Sequence, residues 1–100
     1  MDWLMTMNLT IKQSNSFKKT VRKLPKQHKA ILDEEVRKLV NNPVLGERKK
    51  GDLDFLRVHK FKLLNQEVLL GYMFEEDEII LTLLKLGTHE NFYRDIKNNI

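Results

Sequence analysis

The spacing of apolar residues changes along the chain and predicts seven elements of secondary structure. Weak alternation over residues 8–13 indicates a short edge strand. Phe17, Val21 and Leu24 then follow helical spacing, after serines that can cap a helix. A second helical stripe begins beyond Pro25, which suits the first turn of a helix. Because almost no loop separates the two helices, they are expected to form a hairpin.

The second half of the chain predicts strands. Residues 43–53 hold two glycines and a basic cluster and are interpreted as a loop. The three stretches that follow are DFLRVHKFKL, EVLLGYMF and EIILTLLKL, at residues 54–63, 67–74 and 78–86. The first alternates, whereas the last is apolar on both faces, as a central strand is. Gly87 ends that strand, and Thr88 is placed to cap a final helix.

The resulting order, β-α-α-β-β-β-α, predicts an α+β fold. Three consecutive strands with short connections indicate an antiparallel meander. The helical hairpin is expected to cover one face of this small antiparallel sheet, because each apolar surface must be buried against another element. The other face is expected to be partly open, with the polar side chains of residues 55–62 pointing toward it.

Length and composition are typical of one ordinary globular domain, residues 1–100. Met7 offers a second start, so residues 1–6 are interpreted as a dispensable lead. The chain has no cysteine, which excludes disulfides and thiolate chemistry. No apolar run approaches the roughly 20 residues of a membrane span, and the N-terminus lacks the basic region of a signal peptide. A cytoplasmic protein without a membrane partner is expected.

The charges are unevenly distributed. Residues 12–62 hold fifteen Lys or Arg and six Asp or Glu, whereas residues 63–83 hold five acids and no base. A segregated basic half favours a polyanionic partner, although lysines on short helices also serve as a solvated surface.

Four residues form the candidate catalytic set. Arg57 and His59 share one pleat of a predicted strand, and His89 and Tyr93 share one face of the final helix. Each alone is typical of surface or core. If the strand edge and the helix start meet, two imidazoles, a guanidinium and a phenol converge.

Such a set suits metal-independent RNA cleavage. One imidazole takes the 2′-OH proton, another protonates the leaving 5′-oxygen, and a fixed cation stabilises the charge of the phosphorane. A metal site is disfavoured because the three histidines lack close ligand spacing, and no cofactor motif is present. The residues predicted to bind RNA phosphates are Lys49, Lys50, Lys60, Lys62 and Lys85.

Three stretches resemble the RelE/ParE superfamily of bacterial type II toxins. They are LTIKQSNSFKKTVRKL, GDLDFLRVHKFKL and LLKLGTHENFYRDIK, and the last is similar to the tail of a ParE-like branch. The resemblance covers the chain from about Met7 onward. It implies a toxin neutralised by a cognate antitoxin, a monomer alone and a hetero-oligomer with that partner.

The resemblance implies two alternative activities. RelE-like members cleave mRNA in the ribosomal A site, and ParE-like members poison DNA gyrase. By position, the cleaving members' groups fall on Arg57, His59 and His89, with Tyr93 as a later aromatic. Two departures stand out: the middle strand EVLLGY offers no base, and His89 replaces an arginine.

The first hypothesis is therefore a ribosome-dependent mRNA endonuclease that inhibits translation. The alternatives are a non-catalytic gyrase inhibitor and an inactivated basic binding domain.

Overall fold

A computed structural model describes residues 9–99 of the protein. The predicted lead, residues 1–6, lies outside them. The strands are β1 (Thr10–Gln13), β2 (Glu47–Arg48), β3 (Arg57–Leu63), β4 (Gln66–Glu75) and β5 (Ile80–Gly87). The helices are α1 (Asn15–Arg22), α2 (Lys26–Asn41) and α3 (His89–Asn99), with a short 3₁₀ turn at Gly51–Leu53. The predicted α+β class and order are confirmed, with β2 as an added strand.

The five strands form one mixed sheet in the order β1-β5-β4-β3-β2. β3, β4 and β5 form the predicted antiparallel meander, and β2 extends it by two residues. β1 is an edge strand, as predicted, but it pairs parallel to β5. The chain between β1 and β5 includes α1, α2 and the other three strands, which provides the long crossover that a parallel neighbour needs.

The helical hairpin covers one face of the sheet. Ser14 caps α1 by accepting the Phe17 N–H at its Oγ atom, at 3.0 Å. Phe17, Leu32 and Leu39 are fully buried against the apolar side chains of β3, β4 and β5. Burial of this apolar surface is the main force that holds the hairpin to the sheet.

α3 packs on the opposite face, which was expected to be partly open. Phe92 and Ile96, one helical turn apart, are buried against Leu56, Val58 and Leu69. The sheet is thus covered by helices on both faces. None of the helices in residues 9–99 is long and apolar enough to cross a membrane.

Candidate active site

A cleft of about 330 Å³ lies at the edge of β3. β2 pairs only with Arg57 and Val58, so within residues 9–99 no strand continues along that edge from His59 onward. The residues that line the cleft come from β2, β3, β4 and α3 and the segments next to β2. They are Leu45, Glu47, Lys49, Val58, His59, Lys60, Leu69, His89 and Tyr93.

α3 contributes His89 and Tyr93, which lie one helical turn apart as predicted. Their ring centres are 5.4 Å apart in an edge-on arrangement, and Tyr93 also meets Phe92 edge-on at 5.0 Å. Because Phe92 is buried between α3 and the sheet, it holds the neighbouring Tyr93 ring in place. His89 itself is exposed and accessible to a ligand.

The segment that contains β2 contributes a carboxylate and a cation. Lys49 Nζ is 2.9 Å from Glu47 Oε1 and 5.7 Å from the centre of the Tyr93 ring. Hydrogen bonding to Glu47, and next to Tyr93, raises the pKa of Lys49 above its ordinary value. Lys49 is therefore a fixed cation at the cleft wall.

Tyr72 supports this segment from the core. Its buried hydroxyl donates to the Pro43 carbonyl at 2.7 Å and accepts from the Gly46 N–H at 2.8 Å. Burial raises the pKa of Tyr72, so the phenol stays neutral and keeps its proton for Pro43. A side chain at Gly46 would clash with the Tyr72 ring, 2.7 Å from its Cβ position.

Arg57 holds the same segment and is not in the cleft. Its Nη1 atom donates to the carbonyls of Gly46 and Val44, at 2.9 and 3.2 Å. It lines a second cleft of about 300 Å³, together with Phe55 and Met73. The predicted convergence of Arg57 with the histidines and Tyr93 in one cleft is therefore wrong, because two backbone carbonyls hold its guanidinium at the second cleft.

His59 points toward the helical hairpin. It shares its pleat with Phe61, whose ring lies 5.6 Å away and nearly parallel, and Phe61 packs in the hairpin core. His59 Nε2 is 2.7 Å from Glu35 Oε1 of α2. The prediction that the pleat of Arg57 and His59 faces an open surface is wrong, because the hairpin covers that side.

His59 nevertheless lines the same cleft as His89. Its partner Glu35 is held by two contacts. Burial would raise the pKa of Glu35, but hydrogen bonds from Lys38 and His59 outweigh it and lower that pKa below its ordinary value. The carboxylate therefore stays ionised.

The five predicted phosphate-binding lysines separate into two groups. Lys49 and Lys60 line the cleft. Lys50 and Lys62 are exposed elsewhere, and Lys85 contacts Ser16 Oγ at 2.9 Å and Asp95 at 3.5 Å. Lys85 thus links α1 and α3 structurally. Among the residues described, no group of three or more His, Asp or Glu is arranged to hold a metal ion.

Two acidic residues of this region, Glu47 and Glu35, were not among the site residues predicted from the sequence. Glu47 begins the two-residue strand β2, in the stretch 43–53 that was interpreted as a loop. Glu35 lies far from His59 in the chain, and no local pattern joins them.

Chemically, the cleft combines two imidazoles, two ammonium groups, a carboxylate and a phenol. Imidazoles exchange protons near neutral pH, and ammonium groups stabilise anions. This composition fits a phosphodiester better than a neutral substrate.

The sequence model of the ParE-like toxins of type II bacterial toxin–antitoxin systems matches residues 11–97. The chain therefore belongs to this family, which confirms the predicted membership in the RelE/ParE superfamily. Comparison with curated protein sequences gives no match.

Solved structures share the fold. A mutant of Escherichia coli toxin RelE in the free state aligns over 94% of this chain and 100% of its own, with a TM-score of 0.71 and 15% identity. The RelBE2 toxin–antitoxin complex of Mycobacterium tuberculosis aligns over 83% of this chain and 100% of the matched chain, with a TM-score of 0.69 and 15% identity. A conserved hypothetical protein of Helicobacter pylori aligns over 82% of this chain and 96% of its own, at 26% identity and a TM-score of 0.54.

Proposed function

We propose that this toxin is a ribosome-dependent mRNA endonuclease that acts without a metal ion. The observation that carries the proposal is that His59, His89, Lys49 and Lys60 line one and the same cleft. It presents two proton-transfer groups and two cations on one surface.

In the proposed reaction, one imidazole takes the proton of a ribose 2′-OH, and the 2′-oxygen attacks the adjacent phosphorus. The bond to the 5′-oxygen breaks, and the second imidazole protonates that oxygen as it leaves. The products are a 2′,3′-cyclic phosphate and a free 5′-hydroxyl. Lys49 and Lys60 stabilise the charge of the phosphorane, the role that was predicted for Arg57.

Tyr93 is proposed to stack on a base of the RNA. Its ring centre is 5.4 Å from that of His89 and 5.7 Å from Lys49 Nζ, and an aromatic face binds any base with little sequence preference. Lys50, Lys62 and Lys85, which lie outside the cleft, have no part in the proposed cleavage.

The protein partner is proposed to be a cognate antitoxin. The family consists of toxins of toxin–antitoxin systems, and one structural neighbour was solved as a RelBE2 complex. We expect a monomer alone, a hetero-oligomer with the antitoxin, and a cytoplasmic location where translating ribosomes are found.

Inhibition of DNA gyrase is the second candidate, favoured by the ParE-like description of the family. Two assays on wild-type toxin distinguish the candidates: primer extension on a defined mRNA in a cell-free translation reaction, and supercoiling by purified gyrase. Cuts that require translating ribosomes are expected. Inhibited supercoiling without mRNA cuts would overturn the proposal and identify the protein as a gyrase inhibitor. Neither effect, with normal growth on unopposed expression, would indicate an inactivated relative.

A further inference from the structure

Glu35 lies on α2 and contacts one of the two histidines of the cleft. Its Oε1 atom is 2.7 Å from His59 Nε2, and its Oε2 atom is 2.8 Å from Lys38 Nζ. The side chains of Glu35 and His59 are each 13% exposed. The contact is thus largely shielded from water, unlike the exposed ion pairs elsewhere on α2.

We propose that Glu35 is a positioning residue that fixes the His59 imidazole with its Nε2–H donated to the carboxylate and its Nδ1 as the proton-accepting atom. The inference rests on the proposed nuclease function. It assigns the roles that the sequence left open: His59 is the general base and His89 the general acid.

The hydrogen-bonding capacity of the two groups carries this assignment. An ionised carboxylate only accepts hydrogen bonds, and the lowered pKa of Glu35 keeps it ionised. His59 Nε2 must therefore carry a proton. In a neutral imidazole the other nitrogen then holds the lone pair, so Nδ1 is the atom that can take a proton.

Two further contacts fix the orientation of the ring. Phe61 stacks on His59 with 23° between the ring planes, and Lys38 holds the second oxygen of Glu35. His89 contacts only Tyr93 among these rings and is exposed. The immobilised ring suits the base, and the accessible ring suits the acid that meets the leaving group.

The direct test is Glu35→Gln in the ribosome-dependent cleavage assay. A glutamine amide can donate to Nε2 and so stabilise the opposite tautomer. Loss of a carboxylate that orients a metal-ligating histidine lowers activity about 10- to 100-fold, and we take the same range for an imidazole that moves a proton. We expect a loss of this size in the maximal rate, with the ribosome concentration at half-maximal rate little changed.

Glu34→Gln is the matched control. Glu34 is the neighbouring residue on α2, is exposed, and pairs with Arg37. The control removes the same charge from the same helix without touching His59. Its cleavage rate should equal that of wild type, and thermal melting of both variants measures the folded fraction. An unchanged maximal rate in folded Glu35→Gln would overturn the inference.

A double-mutant cycle separates positioning from a structural role. If Glu35 acts through His59, adding Glu35→Gln to His59→Ala lowers the residual rate no further, because groups that act as a unit are not additive. Losses that multiply would show that Glu35 acts otherwise and would overturn the proposal.

Nuclear magnetic resonance of the histidine rings gives a readout independent of cleavage. In ¹⁵N-labelled protein, His59 should show a protonated Nε2 and a lone-pair Nδ1, and the Nε2 proton should lie downfield. A proton on Nδ1 of the neutral ring would overturn the inference by itself. Wild-type toxin that cuts no RNA would overturn the proposed function and this inference together, whatever the ring signals show.

Discussion

Lys60 and Lys62 provide a natural comparison at the level of single residues. Both are exposed, and both lie on the pleat of β3 opposite His59, but only Lys60 lines the cleft. The two lysines share a strand, a face and a side-chain type, so they differ only in their position relative to the cleft.

Lys60→Ala is expected to lower the rate of ribosome-dependent cleavage about tenfold or more, since a hydrogen bond to a charged group contributes about 1.5–3 kcal/mol. Lys62→Ala should stay within about twofold of wild type. Primer extension with quantified cut fractions measures both. Equal losses in the two variants would mean that the cleft is not where phosphate is stabilised.

Tyr72 is a residue whose hydroxyl matters for stability. Tyr72→Phe leaves the partly buried Pro43 carbonyl and the buried Gly46 N–H without their partner, which costs about 1–3 kcal/mol of unfolding free energy. Tyr93→Phe removes the same atom from the other tyrosine, at a half-buried position, and should cost less. Urea unfolding compares the two, and equal stabilities would contradict the role given to Tyr72.

The position of α3 depends on one close approach to the sheet. Phe92 lies over Gly71 of β4, where an added Cβ would come within 2.5 Å of Phe92 Cζ and 3.2 Å of Leu56 Cδ1. Phe92 is fully buried, so its ring has no room to move away. The helix that bears His89 and Tyr93 is therefore set by a glycine on the strand beneath it.

Gly71→Ala should destabilise the protein by about 1–3 kcal/mol, the usual range for an overpacked core, and should also reduce cleavage by displacing α3. Gly87→Ala is the control, because its nearest contact would be the Phe92 backbone nitrogen at 4.0 Å. Adding Phe92→Leu to Gly71→Ala should recover part of the loss. Stability of Gly71→Ala equal to that of Gly87→Ala would show that α3 is not anchored in this way.

Most elements were predictable because their signals are local. The apolar run of β5 indicated a central strand, and β5 lies between β1 and β4. The parallel pairing of β1 was not predictable, because the spatial order of strands does not appear in any local pattern. β2 was missed because two residues carry no periodicity.

The face of His59 was mispredicted for a physical reason that the sequence does contain. Leu56, directly before β3, and Val58 are apolar on one pleat, whereas Phe61 and Leu63 are apolar on the other. This switch indicates a strand covered on both faces. Phe92 and Ile96 are spaced to form an apolar stripe on α3. That stripe could have indicated that α3 covers the face opposite the hairpin.

For the molecule as a whole, Glu35 predicts how stability depends on pH. Its pKa in the folded protein is below the ordinary value of 4.5, so the unfolded chain binds its proton first as pH falls. The stabilising contribution is complete above about pH 4.5 and is lost as pH falls through the lower folded value. Unfolding free energies measured between about pH 3 and 6 should fall less steeply in Glu35→Gln than in Glu34→Gln. Identical slopes would contradict the contact.

The central claim concerns what the whole toxin does with its cleft. The most direct measurement is primer extension on a defined mRNA in a cell-free translation reaction, comparing wild type, His89→Ala and His28→Ala. His28 is a half-buried histidine of α2 that does not line the cleft. The account predicts ribosome-dependent cuts with wild type and His28→Ala, and a loss of at least about 100-fold with folded His89→Ala, the lower range for general acid catalysis. Undiminished cutting by His89→Ala would contradict it.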